Sequence, residues 1–153
     1  MNKILLIAAL AVAVYFAFLP APGTSGSPEA PVSPGVASVA GERSDAALEN
    51  AFSNRLGNQQ LAGQGVVVKL LPDDNNGSRH QRFIVKLNSG RTLLVSHNID
   101  LAQRIDTLRA GDTVAFYGEY EWNPKGGVMH WTHHDPQGRH PGGWIKHKGQ
   151  TYQ

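Results

Sequence analysis

The chain has 153 residues, room for one ordinary domain. Its 14 basic and 12 acidic side chains leave a net charge of +2, too mild by itself to mark a nucleic-acid protein. Cysteine is absent, which excludes disulfides, thiolate metal sites and cysteine nucleophiles, and the 17 glycines and 9 prolines favour turns over long helices.

Met1-Asn2-Lys3 precedes an uninterrupted apolar run from Ile4 to Leu19. One cation before such a run is the layout of an export signal. Residues 1–19 are therefore expected to be a signal peptide or a membrane anchor. Helix over this run would reach roughly 24 Å against about 30 Å of bilayer hydrocarbon. Pro20-Ala21-Pro22 is a poor cleavage sequence, which favours the anchor. Either way Lys3 stays inside and the rest is exported. Residues 20–43 hold five of the nine prolines among Gly, Ser and Ala, a composition expected to form a disordered linker. As a coil it would span on the order of 27 Å. The expectation is a periplasmic domain, residues 44–153, tethered to the cytoplasmic membrane through residues 4–19.

Ser44-Asp45 can cap a short helix carrying Leu48, Ala51, Phe52 and Leu56 on one stripe, with Gly57 as its stop. From Gln64 the period changes to two. Gly65–Leu71 is expected to be a strand. The stretch from Pro72 to Ser78 is a turn by composition. Arg79–Leu87 alternates, with Phe83, Val85 and Leu87 on one face, and Asn88-Ser89-Gly90 turns the chain into a strand over Arg91–Ser96. Asn98 can cap a second short helix over Ile99–Leu108. Gly111-Asp112 opens a strand whose one face carries Val114, Phe116, Gly118, Tyr120 and Trp122. Val128–Asp135 reads as a last long strand, and Trp144–Tyr152 as a small hairpin about Lys148-Gly149.

Three strands, a short helix and two strands is the element order of an OB-fold, a partly open five-stranded barrel. The expected fold is mainly β: a small OB-like barrel with one or two short helices. The glycine in mid-strand, Gly118, suits a strand that bends around a small barrel. An open sheet with the same strand order is the alternative.

Four stretches carry a family resemblance: His80-Gln81-Arg82-Phe83, His97-Asn98-Ile99-Asp100-Leu101-Ala102, Tyr117-Gly118-Glu119-Tyr120-Glu121-Trp122 and His130-Trp131-Thr132-His133-His134-Asp135-Pro136. Over roughly residues 45–153 the chain resembles a bacterial exported family known only as a domain of unknown function. The resemblance implies a small exported domain of proteobacterial type and brings no activity with it.

All seven histidines lie between residues 80 and 147, and four of them between His130 and His140. Histidine is the commonest transition-metal ligand. Residues two apart on a strand share a face, so His133 and Asp135 can converge if the strand end bends, with His140 closing the set from the next loop. Such a set would hold a divalent metal such as zinc and could make a metal-dependent hydrolase of phosphodiesters, its ion lowering the pKa of a bound water. The competing reading gives most of these histidines to buried hydrogen-bond networks. A second patch joins His80, Arg82, His97 and Asn98 on the hairpin face that OB-folds use for binding, with Tyr120 and Trp122 as stacking platforms and Arg139 as a further cation. This patch would bind an extended polymer, nucleic acid or glycan. From Leu61 to Gln153 there are 11 basic and 8 acidic side chains, weak support for phosphate binding. A purely structural envelope protein needs neither site.

Overall fold

The computed structural model describes residues 34–153, with side chains from residue 41 onward. Among the described residues one helix, α1 (Pro34–Ser53), precedes seven strands. These are β1 (Gln59–Leu70), β2 (His80–Leu87), β3 (Thr92–Asn98), β4 (Thr113–Glu121), β5 (Val128–His130), β6 (Trp144–His147) and β7 (Gln150–Tyr152). The apolar run over residues 4–19, and with it the anchor or signal, lies outside the described residues. Among the described residues no helix is long and apolar enough to cross a membrane.

The strand order is β1-β2-β3-β5-β4-β6-β7, and β1 also pairs with β4. The first five strands therefore close into a barrel, which settles the choice against the open sheet. Closure depends on β1, which serves two neighbours in turn. Gln59–Val66 pair with β4, while Gly65–Leu70 pair with β2 across a bulge at Val67/Lys69. The strand begins six residues before the expected Gly65. Its first half, Gln59-Gln60-Leu61-Ala62-Gly63-Gln64, has little strand propensity and is held by β4. Gly63 is required there, because a Cβ would run into the Phe116 ring and Leu48.

The alternation read from the sequence is the alternation of burial. Phe83, Val85 and Leu87 from β2, Leu93 and Val95 from β3, and Val114, Phe116 and Tyr120 from β4 fill the barrel with Val67, Met129 and Ile145. Leu48 and Ala51 of α1 join the same core beside the barrel end made by the β2–β3 turn and the end of β4. Arg91 holds the helix there through a two-pronged bond to Glu49 (2.7 and 2.8 Å), and the Trp122 indole N–H donates to the Phe52 carbonyl at 3.0 Å.

Three expectations need correction. The helix starts at Pro34, ten residues before the expected cap, so its first part falls in the span read as linker. Proline is well suited to the first position of a helix, and no proline follows it to residue 53. Ile99–Leu108 forms successive turns, not a helix. Asn98 does start a turn, accepting from the Asp100 N–H at 2.9 Å. Buried side chains from the barrel then take over the backbone. The Gln81 amide accepts from the Ile105 N–H at 2.8 Å and donates to the Ile105 carbonyl at 3.0 Å, while His97 donates to the Gln103 carbonyl. A backbone group bonded this way cannot also serve an i→i−4 helix ladder. Finally, β5 stops at His130 instead of running to Asp135, because Trp131 adopts φ 52°. The terminal hairpin is as expected, with Lys148 and Gly149 both at positive φ as its turn.

Gly118 faces the backbone of β5, where a Cβ would land on the His130 carbonyl. Gly118→Ala should therefore destabilise the barrel by about 1–3 kcal/mol, measured as a lowered urea midpoint. An unchanged midpoint would mean that β4 and β5 do not meet as closely as described.

Candidate functional site

The edge of β4 is divided. Glu119–Glu121 pair with β5, and Val114–Tyr117 pair with β6. Between the two the chain must leave the sheet and return, and residues 131–143 make that excursion. It leaves at Trp131 and returns through Gly143, whose N–H donates to the His133 carbonyl at 2.9 Å. A Cβ on Gly143 would collide with the carbonyls of Trp131 and Tyr117, so the pinch requires glycine. Positive φ at a residue as large as tryptophan is rare and strained.

The base of the excursion is tied to the core. Thr132 is fully buried, and its Oγ1 lies 2.8 Å from Nδ1 of His97, itself fully buried. The Gln103 carbonyl, 3.2 Å from Nε2, can only accept, so Nε2 carries the proton and Thr132 donates to Nδ1. Burial pushes His97 down to about 4, against the partial support of its backbone partner. It is a neutral structural imidazole with no ring nitrogen left for a ligand.

Two hollows open beside Trp131. The larger, about 450 Å³, lies among Leu101, Trp131, Asp135, Gln137, Arg139 and His140. The smaller, about 190 Å³, is lined by Ser78, His80, Asn98, His130, Trp131 and His133, and Leu101 lies on both. Leu101 is 45% exposed, an apolar side chain left at the rim. His140 stacks on the Trp131 indole with ring centres 4.0 Å apart.

Each histidine here has a defined role. Nδ1 of His80 donates to the Ser78 carbonyl at 2.8 Å, and Nδ1 of His133 to the His134 carbonyl at 2.7 Å. In the neutral ring that leaves Nε2 of each as an acceptor. His140 donates from Nδ1 to the Pro141 carbonyl (2.8 Å) and from Nε2 to Glu119 Oε2 (2.6 Å). Burial works against its charge, but donation from both nitrogens, above all to Glu119, raises its pKa overall. His130 places Nε2 3.2 Å from the other Glu119 oxygen at an angle that makes no hydrogen bond, and burial lowers its pKa.

The metal set expected from His133, Asp135 and His140 does not assemble. Asp135 spends both oxygens on the backbone of its own loop. Oδ1 accepts from the Gln137 N–H, and Oδ2 from those of Arg139 and His140, which holds the carboxyl below its ordinary range. His140 has no nitrogen to spare. The expected binding patch is divided as well. His80 and Asn98 are register partners on β2 and β3 and line the smaller hollow, and Arg139 lines the larger. Arg82 points elsewhere. It donates to the Pro72 carbonyl (3.2 and 3.0 Å), stands 3.7 Å from Asp74, and lines a separate notch of about 130 Å³ with Arg104 and Arg109. Tyr120 is core, its hydroxyl donating to the Gly126 carbonyl, and Trp122 belongs to the α1 contact. Neither lines the two hollows beside Trp131. Sequence reasoning missed Trp131, Glu119, His130 and Leu101. The density of histidine around Trp131 was the available signal.

Residues 32–153 match the sequence model of a family described as a protein of unknown function, DUF3465, and the chain belongs to that family. No curated protein matches the chain.

His97 gives the domain a defined acid sensitivity. Its folded pKa of about 4 lies below the ordinary value near 6.5, so between these limits the unfolded chain binds a proton that the folded chain refuses. Stability should therefore fall as pH drops from about 6.5 to 4, by on the order of 3 kcal/mol, with His130 adding in the same direction. Urea titrations across this window should show the slope, and His97→Gln should flatten it at the cost of lower stability at pH 7. An unaltered slope in the variant would contradict a buried, neutral His97.

Proposed function

We propose that the domain is an exported, membrane-tethered OB-like module that binds an extended glycan along the two hollows beside Trp131. One observation carries this reading: the hollows adjoin, share Trp131 and Leu101, and are lined by an aromatic ring, by hydrogen-bonding side chains such as Ser78, His80, Asn98 and Gln137, and by the opposite charges of Asp135 and Arg139. Among the described residues Arg139 is the sole Lys or Arg lining either one. Hydroxyl-rich rings meet such a lining well. Nε2 of His80 and His133 can accept from hydroxyls, the Asn98 amide can do both, and the Trp131 edge and Leu101 supply the apolar contact. The larger hollow falls within the 300–1,000 Å³ common for small-molecule sites, and the smaller extends it toward the start of β2 and the end of β3.

A nucleic acid fits less well. Phosphate binding gains from several cations acting together, and Arg82, the cation expected to provide this, is committed to Pro72 and Asp74 at a different notch. Hydrolysis with His133, Asp135 and His140 as metal ligands finds no support in the geometry described above.

The test is a binding panel followed by intrinsic tryptophan fluorescence: neutral and N-acetylated tetrasaccharides against a short single-stranded DNA. The expected result is saturable binding of a saccharide, little changed by salt. Trp131→Ala should weaken it at least about tenfold, a loss of ~1.4 kcal/mol, while Arg82→Ala leaves it unchanged. Binding of DNA alone, falling steeply with salt, would replace this reading with the nucleic-acid one.

A further inference from the structure

On the outer face of β4, Glu119 and Glu121 stand two residues apart and so project to the same side. His130, the register partner of Glu119 on β5, joins them. One ligand atom from each of these three side chains lies within 4.8 Å of the other two. We propose that Glu119, Glu121 and His130 form a binding site for a first-row divalent cation of the zinc class, a site that does not depend on the glycan reading.

Four observations support it. The donor set comes first: two carboxylates with one imidazole suit a dication that accepts both oxygen and nitrogen. Second is spacing. Metal–ligand bonds of about 2.1 Å in a tetrahedron put ligand atoms about 3.4 Å apart, and Nε2 of His130 lies 3.2 Å from Oε1 of Glu119. Third, that Nε2 is buried and makes no hydrogen bond, although an acceptor stands beside it. A buried nitrogen without a partner is costly, and a cation would satisfy it together with the carboxylate. Gln60, directly opposite Glu119 on β1, likewise leaves its amide nitrogen buried and unpartnered.

The fourth observation is the support behind the carboxylates. Glu119 accepts from His140 on Oε2, which leaves Oε1 facing His130. Glu121 accepts from the Asn58 N–H on Oε1 at 3.0 Å. Each carboxylate is thus oriented through one oxygen and has the other to give, the outer-shell arrangement that ligating carboxylates need. Gly57 completes it, because a Cβ at that position would occupy the space of the Glu121 carboxylate. The cation would lie behind the two hollows, next to His130 and His140 of their walls.

The experiment is equilibrium dialysis of the untagged full-length chain against buffered zinc, with long-range ¹H–¹⁵N spectra of the histidine rings. One zinc per chain is expected, with the His130 Nε2 resonance moving to a metal-bound position. Glu121→Gln and His130→Gln should each lower zinc affinity at least tenfold, and Gly57→Ala should lower it without removing a ligand. His134→Gln, at an exposed histidine outside the group, should leave it unchanged. Zinc uptake equal to wild type in both Glu121→Gln and His130→Gln would overturn the proposal. If those variants do not fold, the wild-type spectrum decides: a His130 ring indifferent to zinc overturns it just as directly.

Discussion

A strand has two edges, and one edge of β4 must serve both β5 and β6. The chain between them cannot stay in the sheet, so it leaves at Trp131 and comes back at Gly143. Everything of chemical interest follows from that division. The excursion carries His133, Asp135, Arg139 and His140, and its departure point is the strained tryptophan between the two hollows. The strain is sustained because both ends are fixed, by the buried Thr132–His97 bond at the start and by the glycine pinch against β4 at the finish. The barrel supplies the rigidity: α1 packs with one end of it, and the excursion is built near the other.

The histidines show how one side-chain type is given different work by its surroundings. His97 is sealed in the core and kept neutral. His140 donates from both nitrogens, which favours its protonated form. His80 and His133 are oriented through Nδ1 by backbone carbonyls, which leaves Nε2 as the acceptor of the neutral ring. His147 is buried on β6 and bonds Asp112 at 2.8 Å, away from the hollows. The cluster apparent in the sequence is thus several separate roles, of which four histidines, His80, His130, His133 and His140, surround solvent-reachable space.

Much of the barrel was legible because burial on one face leaves a period of two. Phe83, Val85 and Leu87, and Val114, Phe116 and Tyr120, declare their strands, and Lys148-Gly149 its turn. Ile99–Leu108 misled because its apolar spacing is helical while its backbone is claimed by Gln81 and His97, residues distant in sequence. The first half of β1 was invisible for the converse reason: its pairing with β4 is supplied by tertiary contact and not by its own residues. The candidate metal set placed His133 and Asp135 on one face of a strand that bends at its end, but the strand stops before either residue, and a positive φ at Trp131 re-aims every side chain after it. Arg82 followed the correct alternation, but its partners, the Pro72 carbonyl and Asp74, lie on a turn whose course no local pattern disclosed.

The most direct test of the account maps where a saccharide makes contact. Backbone amide shifts of the ¹⁵N-labelled chain, followed through a tetrasaccharide titration, should move at Ser78–His80, at Asn98–Leu101 and along residues 130–140, the three segments that the fold brings around Trp131. Shifts confined to the Arg82–Arg104–Arg109 notch or to the exposed face of β1, with the Trp131 segment still, would contradict it.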